Sequence, residues 1–145
     1  MIKVDYPSHP FRIRGERGKE YIFDEFRKLW IRLTPEEWVR QNFLQYLVQV
    51  KKYPLALIAV EKEIQLGELK KRFDILVYSR SHLPWMMVEC KSTDIAIDEH
   101  VLAQILRYNM SVPVPFLVIT NGSYVYAYER IEGRIDMLYQ LPEIR

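Results

Sequence analysis

Between residues 56 and 90 the chain carries three apolar runs, at 56–64, 73–79 and 85–90, each of strand length and each leading into polar or turn-forming residues. Consecutive strands of this kind need cover, and the flanking sequence supplies it. Upstream, Thr34-Pro35-Glu36-Glu37 predicts a helix start, with Thr34 as N-cap, Pro35 at the first helical position and Glu37 completing a capping box. Val39, Phe43, Tyr46, Leu47 and Val50 then recur at helical spacing as far as about Lys51, and Pro54 stops the helix. Downstream, a second helix begins at Ile97 or Asp98 and ends near Met110. Val101, Ile105 and Tyr108 line one side of it, with Leu102 and Leu106 adjacent.

The ends of the chain add strands. Pro113 and Pro115 lead into a strand at 116–120, and Asn121-Gly122, two residues that tolerate positive φ, predicts a hairpin into a partner strand at 124–129. Residues 11–14 and 20–23 predict an N-terminal hairpin that turns between Gly15 and Gly18. The expectation is one α/β domain over 1–145, a mixed central sheet flanked by helices. Residues 1–32 form an N-terminal hairpin extension, 33–120 the core, and 121–145 the C-terminal strands and tail.

Length and composition allow this. A domain of 145 residues buries roughly 70% of the surface its unfolded chain exposes, enough for a core without staples. With 49% hydrophobic and 28% charged residues the chain is not a disordered one. The net charge of +2 permits nucleic-acid binding without arguing for it, and Lys51-Lys52 and Lys70-Lys71-Arg72 read as solvated faces. The single cysteine, Cys90, can make no internal disulfide, which suits a reducing cytoplasm, and its apolar surroundings predict a buried, inert thiol. No signal-peptide core opens the chain, and no run approaches the ~20 apolar residues of a membrane span. A cytoplasmic protein with no membrane partner is expected. His9, His82 and His100 are isolated in sequence, which speaks against zinc or histidine-base chemistry. Gly15 and Gly18-Lys19 fail as a phosphate-binding loop, because two residues rather than four intervene and Glu20 follows the lysine. The chain carries no ATPase motor of its own.

The constellation that carries chemistry lies in the hairpin between Phe73 and Lys91. If Tyr78 pairs with Trp85, Asp74 falls opposite Glu89 and Arg72 opposite Lys91. Side chains alternate along a strand, so Asp74, Glu89 and Lys91 share one face, while Phe73, Ile75, Val77, Met86, Val88 and Cys90 take the other. A slip of one residue would break the cluster. Two facing carboxylates repel, at a cost of several tenths of a kcal/mol or more, and become useful when a divalent cation sits between them. Magnesium takes one or two carboxylates with water and phosphate oxygens, stabilises charge on a phosphoryl group and lowers the pKa of bound water. Lys91 adds a compact positive charge that can stabilise the pentacovalent phosphorus or orient the attacking hydroxide. The plain alternative is a half-exposed sheet face with a cross-strand Asp-Lys ion pair.

Arg72-Phe73-Asp74-Ile75-Leu76-Val77 followed by Met87-Val88-Glu89-Cys90-Lys91 resembles the D…(D/E)-x-K signature of the PD-(D/E)XK nuclease superfamily, with Phe73 in place of its proline. The stretch from Leu33 through Thr34-Pro35-Glu36-Glu37-Trp38-Val39-Arg40-Gln41 to Asn42 is more specific, as are Gln104-Ile105-Leu106-Arg107-Tyr108-Asn109 and Ile119-Thr120-Asn121-Gly122. Together, over roughly residues 20–130, they resemble the N-terminal nuclease domain of type I restriction enzyme R proteins. The resemblance implies a restriction-endonuclease-like helix-β-β-β-helix-β core. It implies DNA as substrate, magnesium as cofactor with manganese as its substitute, and Asp74, Glu89 and Lys91 as catalytic residues, the two carboxylates holding the metal. Full-length R proteins carry a helicase motor, and none is expected within these residues. A separate helicase or restriction-modification subunit is therefore a candidate partner, and a homodimer is compatible with the sequence.

Auxiliary candidates follow, each with a plainer explanation. Glu37 resembles the first-helix glutamate that reaches the metal in this superfamily, though its capping role already explains it. Glu61 ends the first core strand and reads equally as an edge carboxylate. Gln104 and Tyr108, one helical turn apart, resemble a Gln-Tyr motif that holds substrate or a catalytic residue, but Tyr108 also fits a core. Tyr124, Tyr126 and Tyr128 alternate onto one strand face, where packing accounts for them better than base stacking. The leading reading is a metal-dependent deoxyribonuclease. The alternatives are a catalytically silent DNA-binding or assembly module on the same fold and a structural α/β domain.

Overall fold

The computed structural model describes residues 1–144; the last residue of the predicted tail, Arg145, lies outside the described residues. The N-terminal extension is a three-stranded antiparallel sheet, β1 (Ile13–Glu16), β2 (Lys19–Asp24) and β3 (Leu29–Arg32). The first turn is made by Arg17 and Gly18, both at positive φ (52° and 76°), the conformation that joins two strands through a two-residue loop. The third strand was not expected, because Leu29-Trp30-Ile31-Arg32 is too short to show a period.

Helix α1 (Pro35–Gln49) starts where the cap predicts, with Thr34 Oγ1 accepting the Glu37 N–H at 3.1 Å. The reciprocal half of the capping box is replaced, since the Glu37 side chain turns inward to arginines. Val39, Phe43, Tyr46 and Leu47 are buried as expected, but Val50 is 46% exposed. Glu37, Arg40, Gln41 and Gln45 are buried as well. The helix is thus covered on two sides, by the main sheet on its apolar stripe and by the N-terminal sheet on a polar one.

A 3-10 turn at Leu55–Leu57 leads into the main sheet. It runs in the order β4 (Ile58–Leu66), β5 (Leu69–Tyr78), β6 (Pro84–Cys90), β7 (Phe116–Thr120), β8 (Val125–Ile131) and β9 (Arg134–Leu138). All neighbours are antiparallel except β6 and β7, whose crossover contains α2 (Glu99–Asn109), capped by the Asp98 carboxylate on the Val101 N–H. The sheet is mixed, as such a crossover requires. β5 begins four residues before Phe73, and β9 is an addition to the expected strands.

At Asn121-Gly122 only the glycine takes positive φ (94°). Asn121 instead uses its side chain, with Oδ1 accepting the Ser123 and Tyr124 N–H groups, so the predicted two-residue turn is a wider Asx-type loop. Of the three alternating tyrosines, Tyr124 is exposed while Tyr126 and Tyr128 pack under α2. Cys90 is buried at 1% exposure, and burial pushes its thiol well above the ordinary range. No helix among the described residues is long and apolar enough to cross a membrane.

Two cores sandwich the sheet. One, under α1, contains Ile75, Val77, Met86, Val88 and Cys90; the other, under α2, contains Leu76, Met87, Leu117 and Ile119. Phe73 joins the α2 side rather than the side of Ile75. Strict alternation along β5 therefore fails next to Asp74, a correction to the sequence reading. The same level is irregular in β4, where Glu61 adopts φ 51° and no pair forms between Val60↔Ile75 and Lys62↔Phe73.

Candidate active site

Asp74 lies inside β5, Glu89 is the next-to-last residue of β6, and Lys91 follows that strand directly. The β5–β6 pairs Ile75↔Val88, Leu76↔Met87 and Val77↔Met86 have the register that sets Asp74 against Glu89. The assumed anchor is wrong, because a bulge after Val77 pairs Tyr78 with Pro84 instead of Trp85. The irregularity lies at the far end of the hairpin and leaves the site's register intact. Asp74 Oδ2 accepts the Cys90 N–H at 2.7 Å, which ties the carboxylate to β6 beside Glu89. The Lys91 N–H donates to the Thr120 carbonyl at 2.8 Å, which fixes the lysine backbone against β7.

Glu89 is the most perturbed carboxylate. Burial pushes its pKa up, the neighbouring Asp74 charge pushes further, and Lys91 and Lys71 offset only part, leaving it at about 7. Among the described residues neither the Glu89 carboxylate nor the Lys91 ammonium has a hydrogen bond or ion pair. Both line an open cleft of about 410 Å³ with Gln104, Ile105, Tyr108 and Asn109 of α2. Tyr108 is 68% exposed and is not core. Lys71, nearly buried, packs its Nζ 3.2 Å from the centre of the Tyr108 ring and donates to the Tyr108 carbonyl and, at 3.1 Å, to Asn109 Oδ1.

On the other side of Asp74 stands a buried charge network. Arg40, 5% exposed, places Nη2 3.1 Å from Glu37 Oε1, Nη1 3.1 Å from Glu61 Oε1 and Nη1 3.6 Å from Asp74 Oδ1. Its Nε and Nη1 have no well-directed acceptor. Arg27, from the loop after β2, reaches Asp24, Glu37 and Glu61, and Gln41 Nε2 donates to both Asp24 and Glu37 at 3.0 Å. Burial opposes the Glu61 charge, but Arg40, Arg27 and Arg72 outweigh it and hold this carboxyl below the ordinary range. Left-handed backbone at a non-glycine residue costs about 1–2 kcal/mol. At Glu61 it aims the carboxylate at those arginines. Glu37 and Glu61 thus meet Asp74 through Arg40 rather than directly.

The sequence model of the type I restriction enzyme R protein N terminus (HSDR_N) matches residues 35–142, three quarters of the chain. The chain belongs to this family. No curated protein matches it. Within the R-protein match lie α1, the whole main sheet and α2, and with them Asp74, Glu89, Lys91, Glu37, Glu61, Gln104 and Tyr108. The three-stranded sheet precedes it.

The donor set of this R-protein domain suits a hard cation. Two adjacent carboxylates, one without a protein donor, offer oxygen ligands only, and the remaining positions fall to water and phosphate, as magnesium prefers. Among the described residues no three His, Cys, Asp or Glu side chains converge on one point.

Three side chains near the pair escaped the sequence reading. Glu36 is coupled to the same charges: burial raises its pKa, Asp74 raises it further, and Arg40 and Lys91 lower it. The helix-start glutamate nearest the site electrostatically is therefore Glu36, with Glu37 committed to arginines. Lys71 was read within a solvated basic run, and Arg40 was given no role of its own. For Glu36 and Arg40 the only signal was spacing, since Glu36, Glu37, Arg40 and Gln41 recur at helical intervals and mark a second face, which on sequence alone reads as solvated.

Proposed function

We propose that this domain is a magnesium-dependent deoxyribonuclease of the PD-(D/E)XK type that hydrolyses DNA phosphodiester bonds within a restriction-modification system. The observation that carries the reading is Asp74, tied to the Cys90 N–H next to an unpartnered, charge-strained Glu89, which lines an open cleft with Lys91. Asp74 and Glu89 are the residues that would hold magnesium, which would supply charge stabilisation at a phosphoryl group and acidify water. Lys91 supplies positive charge to the phosphate oxygens as negative charge builds on them. Gln104 and Tyr108, on the cleft wall contributed by α2, position the substrate backbone. A helicase or another restriction-modification subunit is the partner that the family suggests.

The test is incubation with supercoiled plasmid in magnesium or manganese. Wild type nicks or linearises the plasmid, while Asp74→Ala, Glu89→Ala and Lys91→Ala, each checked for folding by circular dichroism, lose at least ~100-fold in rate, the scale seen when an electrostatic group is removed from an active site. Nicking that survives Asp74→Ala at the wild-type rate sinks the assignment. A second reading, a silent DNA-binding or assembly module, draws on the engagement of Asp74 by Arg40 and the Cys90 N–H. It is the outcome if wild type binds DNA and cleaves none under either metal.

A further inference from the structure

The N-terminal three-stranded sheet has two unlike faces. Ile22 and Asp24 of β2 are fully buried, and Asp24 docks that face onto α1 through Gln41. The opposite face is set by the register. Arg14, Tyr21 and Arg32 lie in one row across the three strands. Phe23 and Trp30 are paired in the next, which Arg12 completes through its carbonyl bond to the Phe23 N–H. Glu16 and Lys19 close the hairpin end. The cations on this face are exposed and the rings half-buried. It carries four cationic side chains, Arg12, Arg14, Lys19 and Arg32, against the single carboxylate of Glu16, on a chain whose total charge is only +2.

Aromatic rings hold two of these arginines. The Arg12 guanidinium sits 4.6 Å from the Phe23 ring centre and 5.3 Å from that of Trp30, and Arg14 sits 4.4 Å from Trp30. Stacking of this kind leaves the N–H groups at the guanidinium edge directed outward and lowers the entropy lost when they bind. Among the described residues Arg12 and Arg32 have no carboxylate partner, and Arg14 has only Glu16 at 3.9 Å. Preorganised arginines with unspent hydrogen-bonding edges match phosphate oxygens. The rings lie under the guanidiniums and are not free to stack on bases.

We propose that this face is a sequence-independent docking surface for the phosphate backbone of duplex DNA, separate from the cleavage cleft and outside the stretch that matches the family. It rests on DNA being the substrate of the domain but not on the domain cutting it. Low net charge then conceals a concentrated basic face, and binding is governed by three or four phosphate contacts.

The experiment measures binding of a fluorescent duplex by anisotropy in EDTA, across a range of salt, with the full chain carrying Asp74→Ala so that no cleavage intervenes. The Asp74→Ala parent binds with a steep salt dependence. Adding Arg12→Ala, Arg14→Ala and Arg32→Ala lowers low-salt affinity at least ~10-fold and makes the log–log salt slope shallower by about 2–3, near 0.9 for each phosphate released. The corresponding triple lysine variant keeps most of the slope, which separates lost charge from lost fold. Equal affinity and slope in parent and triple alanine variant overturn the surface while leaving the plasmid assay free to support the nuclease. Preferential capture of single-stranded DNA or of polyglutamate over duplex overturns the choice of partner. Absence of any duplex binding by the parent overturns the proposal outright, and cleavage by wild type would still stand or fall separately.

Discussion

Glu89 connects the site's geometry to a measurable property. Its folded pKa of about 7 lies above the ordinary value of 4.5, so the native protein takes up this proton more readily than the unfolded chain. Between about pH 4.5 and 7, native Glu89 holds more proton than unfolded Glu89, and the metal-free protein loses stability as pH rises, levelling off above 7. A shift of this size corresponds to roughly 3 kcal/mol as an upper limit. Glu89→Gln should therefore stabilise the metal-free protein at pH 8 by roughly 1–3 kcal/mol and flatten the slope, as read by urea unfolding at pH 5 and pH 8. A destabilised Glu89→Gln would mean that the carboxylate has a protein partner. Asp74→Asn is a less clean probe, because it removes repulsion from Glu89 and also strips Arg40 of a countercharge 3.6 Å away. At this scale the sequence placed Asp74 against Glu89 through the register of one hairpin, although alternation along β5 breaks beside Asp74. It was silent about Arg40 and Lys71, because burial of a charge depends on what packs over it from elsewhere in the chain.

At the scale of elements, the start of α1 was legible from its Thr34 cap, that of α2 only to within two residues, and the N-terminal sheet was only half legible. That sheet is joined to α1 and β4 by Arg27, whose side chain spans Asp24, Glu37 and Glu61. Asp24 is 0% exposed and Glu37 is 3% exposed, so losing the arginine leaves buried Asp24 without an ion-pair partner among the described residues and Glu37 with Arg40 alone. Arg27→Met should cost roughly 3–5 kcal/mol in urea unfolding, the usual penalty for removing one partner of a buried pair. Arg72, exposed at the outer edge of the same network, should cost under about 1 kcal/mol on change to alanine. Equal losses for the two variants would show that the network is no more than a surface feature. The same linkage explains why α1 has no simple amphipathic pattern, since its polar stripe faces a second sheet rather than water.

At the scale of the molecule, the helix, three strands, helix and strand over 35–120 follow the order read from the sequence. The additions, β3 and β9, are short strands at sheet edges, where few side chains are buried and periodicity is weakest. The arrangement places an open cleft between a hairpin end and α2, with α1 and its charge network behind it. The proposed nuclease requires above all that Asp74 and Glu89 hold a divalent cation together. Thermal melting of the chain at pH 8, without DNA, with and without millimolar magnesium or manganese, tests this directly. A cation at 100 times its Kd should stabilise wild type by about 2.7 kcal/mol, which is several degrees for a domain of this size. Asp74→Asn and Glu89→Gln should each lose most of that response. A wild type whose melting point ignores both metals, or variants that respond as wild type does, would contradict it.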